Sequence, residues 1–577
     1  MLLAGFVYDP EYGVTQTKPT AEDRELAVEV EYLLAHPIDL NRATSDELLA
    51  IPWLEPSLAY RIVEARGAAE GFHDFDELRS VPGMTPDILA SLKPVLALRL
   101  RAVPWRADVA ARAGSDTVVS RREPWRTGAR AQVERGAWQA AAALEKDAGE
   151  MDFTDAVALG LRYRSPAVTI IAGDHVVECG EGLVLASGRR GGSRVQSGFT
   201  GTDLRLVTSS PEARHMRGGA AAAGTGLWRV TGSFSDRRID ATFRPDGTVE
   251  RLLASGLHDD SAARAARGQL GEAARTVALS CGSMRLGVTA AAQWLSFDRS
   301  FAPRESVESF SGRNLGVGTV AAGGTIGSYS FGVEVARAGT GGSAAAASLS
   351  GEWPALTLGA RAAIRQRAFF APHGRWTALT GRSDRIDAAG RIRYDVGGFD
   401  VSVSANTYRE YADDSLPARV ELVLGHRAAP LAIDLMLARS FRGDQGRYRS
   451  SRLQSQVAIG PDCTFGLVLA NEHREYADGD GLMGALLARA DAGPVRFGAA
   501  AAGFRVTGTG VTMTLSEPSA GRVGSSFSTS RSCWRTSAAV GLRPFPGCRV
   551  GFSGGISWSE PLVPDVSGQV ELGAGDD

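Results

Sequence analysis

The chain has 577 residues but lacks any uninterrupted run of 18 or more apolar residues. A helix that spans a membrane needs about 20 such residues, so the sequence excludes one. It does not exclude a spanning β-barrel, because each barrel strand needs only about 9 to 11 residues of alternating polarity.

Residues that commonly carry chemistry are also scarce. The five cysteines lie far apart without a Cys-x-x-Cys pair, and the eight histidines are scattered. This arrangement predicts neither a zinc site nor a disulfide framework. No phosphate-binding loop and no metal-spaced set of histidine, cysteine and glutamate occurs. We therefore predict no catalytic residue, no metal and no cofactor, and a protein that is not an enzyme.

Three regions follow one another along the chain. Residues 1–21 are irregular and begin with a short apolar stretch that is at most a fragment of an export signal. Residues 22–100 have the three-to-four-residue period of helices. From residue 105 to residue 577 the period is two, which is typical of strands.

The two-residue period is clear in the segment 391–406. Ile392, Tyr394 and Val396 alternate with charged residues before Gly397-Gly398, and the return segment alternates in the same way. Paired glycines accept the positive φ angles of a tight hairpin turn. The segment is therefore predicted to be a β-hairpin with one apolar and one polar face.

Such strands fit either a water-soluble sheet protein or a transmembrane barrel with lipid outside. Charged residues, mostly arginine, recur on the polar face over the whole region, and no other elements are predicted to cover the apolar face. We therefore predict a mainly β protein, a large antiparallel outer-membrane β-barrel of about 20 strands. Because the chain ends in Gly575-Asp576-Asp577 and not in an aromatic residue, we expect the last strand to end near Trp558.

Helix signals concentrate within the core of the helical region, residues 37–98. Thr44 and Glu47 have capping-box spacing, Asp74 and Glu77 repeat it, and Thr85 precedes a proline suited to a first helical turn. Four short helices are predicted, with tight connections at 51–56 and 81–86. They form a small all-α domain that precedes the barrel.

These residues carry a resemblance to a known family. Asp39-Leu40-Asn41-Arg42-Ala43-Thr44, the helix ending at Arg66, Phe72 and Val81-Pro82-Gly83 occur in the order found in the competence protein ComEA. The region resembles the tandem helix-hairpin-helix domain of that protein.

The resemblance implies a nucleic-acid interface, because the family's hairpin glycines bring backbone N–H groups against phosphates. The corresponding residues here are Trp53, Leu54, Arg66, Pro82, Gly83, Met84, Thr85 and Lys93. The sequence departs from the family where Trp53 and Glu55 replace both glycines of the first hairpin, and where Thr85 replaces one in the second.

Charge also disfavours DNA. Residues 22–98 contain 15 acidic and six basic residues, a net charge of −9, whereas duplex-binding surfaces are normally basic. The alternative is a domain that docks a periplasmic protein or plugs the barrel.

A wider resemblance covers the whole chain. The segments 144–150, 172–175 and 180–183 resemble bacterial envelope proteins that join this hairpin domain to a long β-barrel. In that group the residues corresponding to 179–183 are usually Phe-Gly-Gln-Gly-Leu, so Cys179 and Glu181 depart from the pattern. The resemblance implies an outer-membrane barrel with its N-terminal domain in the periplasm.

Two interpretations of the segment around Gly180 and Gly182 remain open. Gly180 and Gly182 indicate a bend or bulge where strand backbones approach closely. Alternatively, Asp174, Glu181, Arg189 and Arg190 form a constriction inside the lumen.

Two functions therefore remain after the sequence is read. One is a channel or uptake component whose arginine-lined lumen favours anionic solutes and whose helical domain recruits a periplasmic partner or DNA. The other is a structural or assembly barrel with a plugged lumen. Outer-membrane lipid is the expected surrounding in both cases, and the sequence does not determine an oligomeric state.

Overall fold

The structure, a computed structural model, describes Leu33, residues 37–98 and residues 106–575, apart from short segments of the helical module and most strand connections. The longest segments outside the described residues within that span are 117–124, 147–155, 187–201, 209–214, 254–260, 303–309, 375–384, 411–417 and 518–524. The predicted irregular segment 1–21 also lies outside them.

Residues 38–97 form the helical module. Its elements are β1 (Ile38–Asp39), α1 (Ser45–Leu48), α2 (Pro56–Ala68), a 3₁₀ helix (Phe75–Ser80), α3 (Pro86–Leu92), a second 3₁₀ helix (Lys93–Val95) and β2 (Leu96–Ala97). The predicted cap at Asp74 is confirmed, since its carboxylate accepts a hydrogen bond from the Asp76 N–H at 2.9 Å. The helix that it starts is a 3₁₀ helix and not an α-helix.

A single asparagine ties the two ends of the module together. The Asn41 amide donates to the carbonyl oxygens of Phe72 and Leu98 at 2.8 and 2.9 Å, and its oxygen accepts from the Phe72 N–H at 2.7 Å. Next to Asn41, strand β1 pairs in parallel with strand β2. The module therefore closes on itself around a core of fully buried side chains: Leu40, Leu48, Ile51, Leu58, Ile62, Leu78 and Leu92.

The rest of the described chain is built from strands, with one short helix, α4 (Ser261–Ala266). The strands are β3 (Arg106–Asp116), β4 (Trp125–Arg135), β5 (Trp138–Lys146), β6 (Ala156–Arg164), β7 (Val168–Cys179), β8 (Thr202–Leu206), β9 (Met216–Thr225), β10 (Trp228–Ile239), β11 (Ala241–Phe243), β12 (Val249–Leu252), β13 (Leu270–Ser283), β14 (Leu286–Phe301), β15 (Gly312–Ile326), β16 (Tyr329–Ala338), β17 (Ser343–Trp353), β18 (Leu356–Arg365), β19 (Arg385–Val396), β20 (Phe399–Glu410), β21 (Ala418–Ala428), β22 (Leu431–Phe441), β23 (Arg447–Ala458), β24 (Cys463–Arg474), β25 (Gly479–Ala492), β26 (Val495–Thr507), β27 (Met513–Glu517), β28 (Ser525–Thr529), β29 (Cys533–Leu542), β30 (Cys548–Ser559) and β31 (Val563–Gly575).

These strands form one large antiparallel sheet. Each ring strand pairs with its neighbour, and β3 pairs with β31 from Asp108 to Asp116, so the pairings return to their start. In the described part of the chain the ring contains 24 strands: β3–β7, β9, β10, β13–β26 and β29–β31. The predicted hairpin is confirmed, with Ile392 opposite Val403. The expectation that the last strand ends near Trp558 is wrong, because β31 follows it and completes the ring.

The two faces of the sheet invert the usual arrangement of a water-soluble protein. Large apolar side chains such as Phe234, Val335 and Leu486 point outward and are 62%, 58% and 64% exposed. Next to Val335 on β16, the inward-facing Glu334 is only 1% exposed, and the inward-facing Gln293 on β14 is equally buried. A soluble protein normally buries the first kind of residue and exposes the second.

Exposed aromatic rings lie toward both ends of the barrel. At the end from which β3 starts, most strands are joined by connections of a few residues, such as 226–227 and 397–398; we call this the short-connection end. Most of the longer connections lie at the opposite, long-connection end. The rings near the short-connection end are Trp138, Trp228, Tyr329, Tyr394, Phe399, Phe465 and Phe497, and those toward the other end are Trp125 and Trp534.

The helical module contacts the short-connection end. The Glu64 carboxylate on α2 pairs with the Arg285 guanidinium at 2.5 Å, in the connection between β13 and β14. Arg61, one turn earlier on α2, donates to the Gly327 carbonyl between β15 and β16 at 3.4 Å. Helix α2 therefore lies across two neighbouring hairpin turns.

Candidate functional site in the barrel interior

The first feature of the interior is a chain segment, residues 180–186, that turns inward after β7. Its turn is closed by hydrogen bonds from the Gly182 N–H to the Cys179 carbonyl and from the Cys179 N–H to the Leu185 carbonyl, both 3.1 Å. Gly180 and Gly182 have φ angles of 57° and 84°, which glycine adopts without steric cost. The turn allows Leu183, Val184 and Leu185 to be completely buried.

Two carboxylates of this region hold the segment against the wall. Glu334 on β16 accepts hydrogen bonds from the Leu183 N–H at 3.1 Å and from the Thr319 hydroxyl at 2.7 Å. Glu181, on the segment itself, accepts from the Ser348 hydroxyl on β17 at 2.8 Å. Buried polar contacts therefore attach the segment to two neighbouring wall strands, β16 and β17, and Thr319 on β15 supports Glu334.

A second inward segment, residues 368–374, packs on the first. The Ala186 N–H donates to the His373 carbonyl at 2.9 Å. A side chain on Gly374 would place its Cβ 2.2 Å from the Leu183 carbonyl oxygen, so only glycine permits this approach. Phe369 is fully buried in the same apolar cluster as Leu183.

The second segment is anchored by a buried ion pair. His373 Nε2 lies 3.0 Å from Glu272 Oε1 on β13, and Arg237 Nε on β10 donates to the same oxygen at 2.9 Å. His373 Nδ1 lies 3.1 Å from the Gln293 amide nitrogen. Since Arg237 and Glu272 are both buried, each charge is stabilised by the other and not by water.

Glu272→Ala is therefore expected to destabilise the barrel by about 3–5 kcal/mol, because it leaves the Arg237 charge buried without its partner. The measurement is the free energy of unfolding of the full chain in lipid vesicles. Arg237→Met in the same chain is the control, since removing both charges should restore a large part of the loss. Equal destabilisation by the single and double variants would contradict the ion pair's role.

A third inward element is the hairpin of β27 and β28. Met513 and Leu515 of β27 are buried against Met483 on β25 and Phe504 on β26. This hairpin belongs to the connection between β26 and β29 at the long-connection end. Inward chain thus covers the inner wall on both sides of the ring.

The residues of the predicted constriction have separate partners. Glu181 contacts Ser348 on β17, whereas Asp174 contacts Arg217 on β9 at 2.8 Å and the Leu159 N–H on β6 at 2.7 Å. Arg189 and Arg190 lie outside the described residues. The bend predicted at Gly180 and Gly182 is present, and the constriction stays a prediction.

The described residues of the predicted nucleic-acid interface are either buried or have partners within the helical module. Leu54 and Met84 are buried in the core of the module. The Arg66 guanidinium donates to the Leu40 and Ala43 carbonyls at 2.9 and 2.6 Å, and the exposed Lys93 ammonium pairs with Asp76 at 3.3 Å. Trp53, Glu55, Pro82, Gly83 and Thr85 lie outside the described residues.

Among the described residues, no group of three or more histidine, cysteine, aspartate or glutamate side chains is arranged to hold a metal ion. Residues 551–555, Gly-Phe-Ser-Gly-Gly, have the letters of the nucleophile elbow of α/β-hydrolases. They lie inside strand β30, whereas that motif requires a strand-to-helix turn. No helix within the described ranges is long and apolar enough to cross a bilayer.

Sequence reasoning missed the residues that hold the inward segments. Glu334 and Glu272 alternate with apolar neighbours like any other inward residue of their strands, so period alone does not single them out. His373 lies in a connection without periodic pattern. The one signal that could have identified Glu334 is a carboxylate among the small inward residues of β16.

Comparison with known proteins gives a family match for the helical module and distant structural similarities for most of the chain. Residues 35–97 match the family model described as a helix-hairpin-helix motif. The N-terminal module is a helix-hairpin-helix domain. No curated protein matches the chain.

Solved structures of similar architecture include the P pilus usher PapC translocation pore, at 11% identity and a TM-score of 0.39, covering 82% of this chain and 99% of that one. The siderophore receptor PirA from Acinetobacter baumannii has 8% identity and a TM-score of 0.40, covering 83% and 81%. OccK5 (OpdH) of Pseudomonas aeruginosa has 12% identity and a TM-score of 0.29, covering 60% and 97%. Similarities this distant carry no argument about function.

Proposed function

We propose that the protein is a bacterial outer-membrane β-barrel whose interior is closed by its own inward segments, and whose helix-hairpin-helix domain docks a periplasmic protein. The observation that carries the proposal is the inverted polarity of the sheet. Exposed valine, leucine and phenylalanine on the outer face need an apolar surrounding, and inward polar residues such as Glu334 and Gln293 are buried and have hydrogen-bond partners inside.

The aromatic rings support the same surrounding. Rings toward both ends of a barrel are typical of the two interfaces between hydrocarbon and water. The Trp138 and Tyr163 rings, 5.0 Å apart between centroids, and the Tyr329 and Trp353 rings, 5.4 Å apart, lie at the short-connection end.

The position of the helix-hairpin-helix domain supports a periplasmic location. Bacterial outer-membrane barrels have short turns on the periplasmic side and longer loops outside the cell. The Glu64–Arg285 pair and the contact from Arg61 to Gly327 hold the domain at the short-connection end.

A second candidate is a gated channel for anionic solutes. The inner face carries buried arginines, among them Arg361, Arg365 and Arg535. Residues 180–186 and 368–374 are held by hydrogen bonds and ion pairs, which can break reversibly. A channel function therefore requires that these segments leave the wall.

Three measurements on the full chain test the proposal. Membrane fractionation should place the protein in the outer membrane, and unheated samples should migrate differently from heated ones on a gel. In a planar bilayer the folded protein should be closed at rest. A protein that fractionates with soluble material refutes the proposal, and a pore that opens and closes and is selective for anions favours the gated channel.

We expect the full chain not to bind duplex DNA, even at low salt. The helix-hairpin-helix domain is acidic, and Arg66 and Lys93 have intramolecular partners. The measurement is fluorescence anisotropy of a labelled duplex across a salt series. A Trp53→Gly, Glu55→Gly variant, which restores the family's hairpin glycines, is the comparison. Salt-dependent binding by the native chain would contradict the docking role.

A further inference from the structure

Among the described ring strands, the ladder between β6 and β7 is the shortest. Strands β6 and β7 share only the register from Gly160–Gly173 to Arg164–Thr169, whereas β13 and β14 pair from Glu272–Phe297 to Ser283–Leu286. Beyond Gly160, the residues Ala156–Leu159 pair with β5 on one side. On the other side no strand of the described chain continues the ladder.

The cause is a bend in β7. Gly173 has a φ angle of 105°, and a Cβ there would lie 2.1 Å from the Leu159 carbonyl oxygen, so the two backbones touch at this point. Past the bend, β7 continues inward and pairs with β8 from His175 to Cys179. On its other side, β7 stays paired with the next wall strand, β9, as far as Asp174–Arg217 and His175–Met216.

Side chains take the place of the missing ladder. The Asp174 carboxylate accepts from the Leu159 N–H at 2.7 Å, and the Arg217 guanidinium donates to Asp174 at 2.8 Å and also to the Val157 carbonyl. His215 Nε2 lies 3.4 Å from the same carboxylate. One ion pair thus satisfies the edge of β6 that a neighbouring strand would otherwise satisfy.

Apolar surface lies on both sides of this seam. Val157, Leu159 and Leu161 are exposed on the outer face of β6. Behind the strand, a buried cluster consists of Ala143, Ala158, Val176 and Val207. Arg217 itself is about half exposed on the outer face, where a charge toward lipid is unfavourable unless it has a partner.

We propose that the seam between β6 and the paired strands β7 and β9, closed by the contacts of Asp174 and Arg217 with Leu159 and Val157, is a lateral gate that admits a hydrocarbon chain of an amphipathic lipid from the bilayer to the apolar cluster behind β6. Two apolar surfaces separated by a side-chain contact provide the route, and the edge of β6 that is held by the side chains of Asp174 and Arg217 and not by a strand provides the opening. The inference rests on the proposed membrane barrel.

The test uses the full chain in phospholipid vesicles, with the five native cysteines replaced and one cysteine introduced by Ala158→Cys. Pyrene maleimide dissolved in the bilayer is the probe, and a sulfonated maleimide in the water is its comparison. Arg217→Ala should accelerate pyrene labelling about tenfold or more, because a charge-assisted hydrogen-bond pair closes the seam. The sulfonated reagent should remain slow.

Two controls define the site. Ala278→Cys places the thiol on the inner face of β13, whose ladders are complete on both sides, and should stay unlabelled. Arg229→Ala removes an arginine from β10, which pairs with β9 and β13 there, and should leave labelling at position 158 unchanged.

Unchanged pyrene labelling in the Arg217→Ala chain, or equal acceleration by the sulfonated reagent, would overturn the gate. Heat-modifiable gel migration reports barrel assembly separately, so a folded barrel without lateral labelling refutes the gate alone. If Arg217→Ala does not assemble, Arg217→Lys is used, which keeps a charge beside Asp174 but has a shorter reach. Failure of both to assemble also overturns it, since the pair would then be a fixed part of the wall.

Discussion

Replacing both Leu183 and Leu185 by aspartate is expected to convert a closed barrel into a conducting one. Both side chains are fully buried against the inner wall, and two unpaired carboxylates there would be strongly unfavourable. The segment's polar attachments are few, and each hydrogen bond contributes only about 0.5–1.5 kcal/mol net. The charged segment should therefore leave the wall, while the strand ladders, which do not depend on it, stay intact.

The measurement is single-channel conductance in a planar bilayer, compared with the native chain. Leu183→Met with Leu185→Met is the matched control, because methionine conserves volume and polarity and should leave the barrel closed. A double aspartate variant that folds, shown by heat-modifiable migration, and still does not conduct would mean that residues 180–186 do not close the interior.

The second large effect is expected on the outer face. Val335, more than half exposed near the middle of β16, should lie in hydrocarbon. Val335→Arg should therefore lower the free energy of unfolding by about 2–4 kcal/mol, the cost of arginine at the centre of the lipid face. In a water-soluble protein the same exposed substitution would be close to neutral.

Denaturant unfolding of the full chain in vesicles measures this difference. Ser343→Arg provides the control, since residue 343 begins β17 at the end of the same outer face, where arginine costs about 0–1 kcal/mol. If both variants have equal stability, the apolar outer face is not in contact with lipid, and the proposed membrane location is lost.

Some of the molecule could be predicted because its signals are local. Alternation around Gly397-Gly398 predicts the β19–β20 hairpin and its register, since a strand's side chains alternate whatever it pairs with. The spacing of Asp74 and Glu77 predicts the start of a helix because a cap satisfies nearby N–H groups. The helix-hairpin-helix domain is recognisable for the same reason.

Other features depend on contacts between distant residues. Asp174 is recognisable as an unusual carboxylate in a strand, but its contact with Arg217 depends on the register in which β7 pairs with β9. Likewise, the sequence places the end of the last strand too early because β31 has no aromatic end residue, and only its pairing with β3 and β30 defines that strand.

The sequence by itself determined that the chain joins a helix-hairpin-helix domain to a long region of strands with an apolar face and a polar face. These properties follow from period and spacing, which are set within a few residues. Only the tertiary structure decided that the strands form a ring, that residues 180–186 and 368–374 fold inside it, and that Asp174 and Arg217 close a seam in its wall. Such contacts join residues far apart in sequence, and no local pattern encodes which partners meet.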